Sequence, residues 1–113
     1  MREDRAWLLD ILEALEKIEK YASKGECAFY DNELIQVWII YYFQVIGEAA
    51  NQLSSSFLRN HTEVPWRSVI AMRNVLVHQY FGIDLNEAWD TVSTDLPELK
   101  AKLIEILAQN QLD

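Results

Sequence analysis

The sequence predicts an all-α fold, an antiparallel bundle of four to five helices. Two observations lead to this class: apolar residues recur every three or four positions in the first and last segments, and the chain contains only three Gly and two Pro. With 113 residues, positions 1–113 are expected to form a single domain, because domains of roughly 100 to 150 residues share one core.

The first two helices are predicted from apolar spacing. Residues 3–23 carry Leu8, Ile11, Leu15 and Ile18 on one side, and Gly25 is expected to stop this helix. A loop around Cys27 should follow. A long second helix is predicted over 31–58, because its apolar pattern continues without a turn signal.

The second helix is apolar on every side in its first half, residues 37–43. Such a helix has to be covered all round, and four or five helices in so short a chain cannot easily do this alone. We therefore expect a partner subunit, which makes the protein a homodimer.

Capping signals predict the remaining helices. Pro65 suits the start of a third helix that runs to about Tyr80. Gly82 should end it, and Asp84 with Glu87 has the spacing of a capping box for a short fourth helix. Asp95, ahead of Pro97, repeats the signal and should open the last helix.

Charge and composition limit the partners. The net charge of −8 disfavours nonspecific binding to nucleic acid, and no DNA partner is expected. The stretch 59–80 nevertheless carries a charge of +2, so an anion site belongs there.

The single cysteine, Cys27, forms no intrachain disulfide and is expected to be a buried thiol. The sequence begins without a secretion signal, and its longest apolar run is too short to span a bilayer. These features favour the cytoplasm as the location, with no membrane partner.

The residues with most chemical potential lie in the third helix. At about 100° per residue, Arg73, Asn74, His78 and Tyr80 share a sector of roughly 160°. Considered alone, an Arg and a His on an enclosed helix are more often structural: Arg73 would pair with Glu48, and His78 would donate to a carbonyl. Gly47, beside Glu48, has no side chain, which would allow another helix to approach closely.

Other blocks of the sequence favour a functional interpretation of Arg73 and His78 over a structural one. Ile46-Gly47-Glu48-Ala49, Val64-Pro65-Trp66 and the pattern Arg73-x4-His78-x-Tyr80 occur in one order over nearly the whole chain. In these blocks the sequence resembles the HEPN superfamily, and within it the HepT-like toxins of toxin-antitoxin pairs.

The resemblance implies a metal-independent endoribonuclease that needs no cofactor and acts on RNA in a cleft lined by both subunits. Arg73 would bind the phosphate, and His78 would act as base or acid near neutrality. Asn74 would be a further hydrogen bonder. Glu48 is expected to support the site structurally rather than catalytically, by pairing with Arg73 or with a helix terminus.

For Tyr80 the resemblance implies a modification site. In HepT-like proteins this hydroxyl receives AMP from a partner antitoxin, a nucleotidyltransferase of the MntA type. The alternative is a noncatalytic HEPN module that dimerises or binds a nucleotide beside the transferase. The sequence also leaves open that this chain is the antitoxin of the pair.

Overall fold

The computed structural model describes residues 2–74 and 84–111, and over these residues the protein is helical without a β-strand, as predicted. The helices are α1 (Asp4–Ala22), α2 (Glu26–Asp31), α3 (Glu33–Asn51), α4 (Ser55–Asn60), α5 (Trp66–Ala71), α6 (Leu85–Asp90) and α7 (Leu96–Gln111). A 3-10 turn, Met72–Asn74, continues α5, and a π-helical turn, Thr91–Asp95, joins α6 to α7.

Helix α1 lies at the centre of the bundle and packs against both α3 and α7. Its apolar face is fully buried at Leu8, Ile11, Leu15 and Ile18, the residues whose spacing predicted the helix. The indole Nε1 of Trp38 donates to the carbonyl of Lys17 at 2.6 Å, near the start of α3 and the end of α1. These two helices are therefore antiparallel.

The same arrangement joins α1 to α7. The Lys100 ammonium, near the start of α7, contacts the Glu19 carboxylate near the end of α1 at 2.8 Å. Leu103 and Ile106 of α7 are almost completely buried. The three long helices thus form an antiparallel core, with the short helices attached to it.

The prediction of one long helix over 31–58 was wrong. Helix α3 ends at Asn51, and α4 begins after Ser54, whose hydroxyl accepts a hydrogen bond from the backbone N–H of Phe57. The Asp4 carboxylate of α1 binds both the backbone N–H and the hydroxyl of Ser54, at 2.8 and 2.7 Å. A polar contact 50 residues away in sequence therefore stabilises the break.

Residues around Cys27 form a short helix instead of the expected loop, and Cys27 itself is exposed rather than buried. Helix α2 ends at Asp31, where Asn32 takes an extended conformation. The Asn32 side chain then accepts from the backbone N–H groups of Leu34 and Ile35 and so caps α3.

The two predicted capping boxes have different outcomes. Asp84 caps α6 by accepting from the backbone N–H of Glu87 at 3.0 Å. Asp95, however, does not open a new helix, because the π turn carries the chain from α6 into α7 without a break. Pro97 has no N–H to donate and its ring would clash with an ideal preceding turn, which explains why the turn before it is wide.

Candidate active site

The candidate site begins where the chain after α5 tightens into the 3-10 turn that carries Arg73. This turn lies directly on Gly47 of α3. A Cβ atom added at Gly47 would lie 2.7 Å from the Arg73 Cβ and 2.9 Å from its Cα, and nearer still to its backbone nitrogen. Only glycine leaves room for this approach, so Gly47 fixes where the Arg73 backbone can lie.

The Arg73 side chain pairs with Glu48, the residue after Gly47. Its Nη1 donates to Glu48 Oε1 at 3.4 Å, a long contact, and the side chains are 32% and 57% exposed. Within the described residues this is the one hydrogen bond that the guanidinium makes. A guanidinium has five N–H donors in a planar fork that suits an anion, and the contact with Glu48 uses one of them.

The predicted site residues are only partly covered by the structure. Arg73 and Glu48 are adjacent, and Asn74 is exposed at the end of the 3-10 turn. His78 and Tyr80 lie outside the described residues. The proposal that all four polar groups of the third helix share one sector therefore stays a prediction.

The polar cluster Asn60-His61-Thr62 predicts that His61 is a solvated turn residue rather than a second acid or base, but its side chain is mostly covered. Its ring packs against Phe57 with centroids 4.4 Å apart. Its Nδ1 lies 3.7 Å from Glu63, and its backbone carbonyl accepts from the Trp66 indole at 2.8 Å. These contacts join α4 to α5, so His61 has a structural part in positioning the helix that leads to Arg73.

Positive charge in the stretch 59–80 lies at the surface. Arg59 on α4 and Arg67 on α5 are both exposed, whereas Arg73 is partly covered by α3. The burial of Arg73 beside a glycine distinguishes it from the other two arginines. Over residues 2–74 and 84–111, no three His, Cys, Asp or Glu side chains come together in a way that could hold a metal ion.

Sequence patterns indicated Gly47, Glu48 and Arg73, but not the local geometry that joins them. The change from α-helix to 3-10 helix at Met72 has no Pro, Gly or capping residue to mark it. It tightens the backbone where Arg73 meets α3, and such a contact depends on the whole packing of the bundle. Trp66, whose indole fixes the start of α5, was part of a recognised block without an assigned role.

No helix in the described part of the chain combines the length and the apolar character that crossing a bilayer requires.

Comparison with known proteins gives a consistent result. A family model described as "Ribonuclease HepT-like" matches residues 11–106. A "Probable ribonuclease HepT" of Thermococcus cleftensis is 39% identical over 104 residues, which are 89% of this chain and 93% of that protein. No solved structure matches.

Two relatives from Methanocaldococcus jannaschii are also similar. One, provisionally named as an RNase, is 34% identical over 107 residues, covering 94% of this chain and 97% of the relative. The other is named as a gamma-glutamylcyclotransferase and, provisionally, an RNase; it is 35% identical over 111 residues, or 96% of this chain. The chain spans only half the length of that second relative.

Proposed function

Because the chain belongs to the ribonuclease HepT-like family, we propose that it is a metal-independent endoribonuclease whose reaction uses Arg73 and His78. The observation that supports this most is the position of Arg73. Its backbone is fixed against Gly47, and its guanidinium is held by one long contact to Glu48 while a third of the side chain is exposed. An arginine so placed is suited to bind a phosphate.

The proposed reaction needs no external nucleophile, since RNA carries a 2′-hydroxyl beside each phosphodiester. His78 takes the proton from this hydroxyl, the 2′-oxygen forms a bond to phosphorus, and the bond from phosphorus to the 5′-oxygen breaks. A protonated His78 of a second copy supplies the proton that the 5′-oxygen needs. The products are a 2′,3′-cyclic phosphate and a free 5′-hydroxyl.

Arg73 stabilises the negative charge that builds on the phosphate oxygens during this step. Asn74, exposed on the same turn, adds a further hydrogen bond to the RNA. Glu48 acts as a positioning residue, because its carboxylate holds the guanidinium from the side of α3.

Two copies of the chain form the complete site in this proposal. One histidine cannot be deprotonated and protonated at the same time, so the second copy supplies the other proton-transfer group. The cleft between the copies then contains two Arg73 and two His78 side chains, which fits RNA as the substrate of an otherwise acidic protein.

We further propose that the protein is the toxin of a toxin-antitoxin pair, silenced when a nucleotidyltransferase antitoxin attaches AMP to Tyr80. The added phosphate brings negative charge and bulk within two residues of His78. Both oppose entry of an RNA phosphate. The switch would then need no change in fold.

The nuclease proposal is tested by RNA cleavage in the presence of EDTA. Wild-type protein should cleave a long RNA and leave cyclic phosphate ends, whereas His78→Ala should lose about 100-fold to 10,000-fold in rate while staying helical and dimeric. His61→Gln serves as the matched control, because this histidine packs against Phe57 and should leave the cleavage rate nearly unchanged. Undiminished cleavage by His78→Ala would remove the assignment.

One observation favours a second candidate, a noncatalytic module that holds a nucleotidyltransferase. The Arg73–Glu48 pair is also what a purely structural arginine would form, and the net charge of −8 opposes RNA. Absence of cleavage by clean wild-type protein, together with stable binding of a nucleotidyltransferase, would favour this candidate.

The modification has its own measurement, which is the intact mass after coexpression with a nucleotidyltransferase of the antitoxin class. The wild-type mass should increase in steps of one AMP, and cleavage should fall as the increase appears. Tyr80→Phe should keep the unmodified mass and remain active. A mass increase that persists in Tyr80→Phe would place the modification on another residue.

A further inference from the structure

A groove of about 820 Å³ lies between the C-terminal end of α1 and the N-terminal half of α3. Its walls are mainly apolar, and they include a row of four aromatic rings, which are Tyr21, Trp38, Tyr42 and Tyr41. Neighbouring rings of this row lie 5.0, 5.2 and 4.9 Å apart, in that order. We name this cavity the aromatic groove. Its size and lining are typical of a site that binds a planar organic group.

The rings of the aromatic groove are held in place by the protein itself. The indole Nε1 of Trp38 donates to the Lys17 carbonyl at 2.6 Å, which ties this ring to α1. Tyr42 packs against Trp38 and meets the Tyr41 ring at 85°. Tyr41 is 54% exposed, so its ring presents open aromatic surface at the groove. A flat aromatic ligand can stack there without first displacing another side chain.

One side of α1 carries three lysines beside the aromatic groove. Lys17, Lys20 and Lys24 follow at spacings of three and four, which places them within about 60° around the helix axis. The Lys20 ammonium lies 5.6 Å from the centre of the Tyr21 ring and 5.9 Å from that of Trp38. The Lys24 ammonium lies 6.0 Å from the Tyr21 ring. We name these residues the lysine row, which brings positive charge to the edge of the groove.

The lysine row differs from the lysines of α7 in its partners. On α7, Lys100 pairs with Glu19, and Lys102 pairs with Glu98. In the described part of the chain, no member of the lysine row has a carboxylate within the distance of an ion pair. This is notable because the chain has 18 acidic side chains and only 10 Lys and Arg. Lysines that stay unpaired among so many acids suit an external anion.

The charge balance at the groove is positive. Asp31 is the one acidic side chain among the described residues that line it. The lysine row and Asp31 together carry three positive charges and one negative, a balance of +2, on a chain whose net charge is −8. A ligand that combines flat rings with negative charges matches this surface. Single-stranded nucleic acid has this composition, since its bases stack on aromatic rings and its phosphates follow a positive edge.

We propose that the aromatic groove binds an unpaired base of the RNA substrate, stacked on Tyr41, while the phosphates beside that base contact Lys20 and Lys24. The inference rests on the proposed function in taking RNA as the ligand, and it adds the part of the substrate that this surface recognises. An apolar protein surface in the same place would leave the ammonium groups of the lysine row without a partner, which costs free energy. A phosphate backbone supplies that partner.

The groove lies close enough to Arg73 for one RNA strand to reach both. Tyr41 and Glu48 are seven residues apart on α3, so they lie on the same side of the helix and about 10 Å apart along its axis. Glu48 in turn contacts the Arg73 guanidinium. A stacked strand covers about 3.4 Å per phosphate, so this distance corresponds to about three nucleotides or fewer. The recognised base is therefore near the cleaved phosphate, and the site favours single strands, because bases of a duplex are not free to stack here.

The test is the binding of full-length protein to an unstructured RNA oligonucleotide with methylated 2′-hydroxyls, which prevents cleavage, measured by fluorescence anisotropy. Tyr41→Leu should raise the dissociation constant about 5-fold to 150-fold, because it removes the stacking ring and keeps an apolar side chain. Tyr41→Phe retains the ring and should bind like the wild type. A duplex of the same sequence should bind the wild type more weakly than the single strand does.

The lysines have a separate measurement, the salt dependence of the dissociation constant. Lys20→Gln combined with Lys24→Gln should lower the slope of its logarithm against the logarithm of salt concentration by about 1.4, since each phosphate contact of a single strand contributes about 0.7. Lys100→Gln combined with Lys102→Gln is the matched control, because it removes the same charge from lysines that pair with carboxylates. The slope of this control should equal that of the wild type.

Circular dichroism and sedimentation equilibrium separate a loss of RNA binding from unfolding and from a change in association. Tyr41→Leu should keep the helical content and the association state of the wild type, since the ring is exposed. A change in its association state would show that the groove is a contact between proteins and would overturn the proposal. So would wild-type affinity for the single strand in Tyr41→Leu, equal binding of duplex and single strand, or equal slopes in the two lysine pairs.

Cleavage of unmodified RNA is measured independently of this binding. Tyr41→Leu should cleave at the wild-type rate once RNA is saturating, because the groove holds the substrate away from the reacting atoms. Binding in the groove without any cleavage by the wild type would contradict the nuclease proposal and leave the base-binding site in place. A wild-type protein that cleaves RNA but shows no affinity for the methylated single strand would overturn the base-binding site alone.

Discussion

The two ends of α3 differ in how their surfaces are covered. At its C-terminal end, Gly47 lies so close to the 3-10 turn that even one added methyl group would overlap the Arg73 backbone. In its N-terminal half, Leu34, Val37 and Tyr41 are open to solvent beside an aromatic groove. The C-terminal end is tightly packed at Gly47, whereas the N-terminal half has apolar surface that the described part of the chain leaves exposed.

The difference shows that one helix supplies two kinds of contact. At the packed end, one added methyl group would already displace Arg73, so the position of this arginine is closely defined. Such a defined position suits a residue that has to bind a phosphate. The exposed side chains in the open half are not held in this way, and they form an apolar surface instead. Substitutions at the packed end should therefore affect the reaction more than substitutions in the open half do.

The largest effect at the packed end is expected for Gly47→Ala. Alanine gains about 0.5 to 1 kcal/mol in helix propensity, but overpacking costs about 1 to 3 kcal/mol. The overlapping atoms belong to the Arg73 backbone and Cβ, which cannot rotate away, so the turn has to move. A displacement of about 1 Å would lower RNA cleavage about 100-fold. Cleavage rate and urea unfolding at one protein concentration check this.

Gly25→Ala is the matched control, because that glycine is required for a different reason. Its φ is 99°, a conformation that other residues rarely adopt, yet nothing lies within 4 Å of an added Cβ. The change should cost about 1 to 3 kcal/mol of folding free energy and leave the cleavage rate of the folded protein unchanged. Equal losses of cleavage in both variants would contradict a specific role for Gly47.

The contrast also shows which features a sequence reveals. The apolar row of α1, the Asp84 cap and the possibility of close packing at Gly47 each depend on neighbours in the sequence, and the structure has all three. The Ser54 break depends on Asp4, 50 residues away, and only a folded bundle brings them together. For the same reason the long second helix was predicted without its interruption.

The candidate site was predictable in composition and less so in geometry. Glu48 and Arg73 are 25 residues apart, and their pairing was proposed because a charge in an apolar helix needs a partner. The 3-10 turn that brings them together has no local sequence signal. The open half of α3 was also hidden, because a helix that is apolar on all sides does not reveal which side stays uncovered.

The smallest effect at the packed end is expected for Glu48→Gln. An ion pair this exposed contributes roughly 0 to 1 kcal/mol, and the amide oxygen of glutamine can still accept from Arg73, so the free energy of unfolding should hardly change. Removing a negative charge beside the phosphate-binding guanidinium should lower KM up to about fivefold, with kcat retained. Steady-state cleavage kinetics at low and high salt measure this, since screening should reduce the difference.

Glu98→Gln is the matched control for that measurement, because it removes a similarly exposed carboxylate that pairs with Lys102 on α7 rather than with Arg73. It should change neither KM nor kcat. The positioning role of Glu48 predicts that Glu48→Ala, which removes the acceptor altogether, lowers kcat more than Glu48→Gln does. If Glu48→Gln lowered kcat as far as Arg73→Ala, the carboxylate would have to take part in the reaction itself, and the packed end of α3 would contribute a reactive group as well as a support.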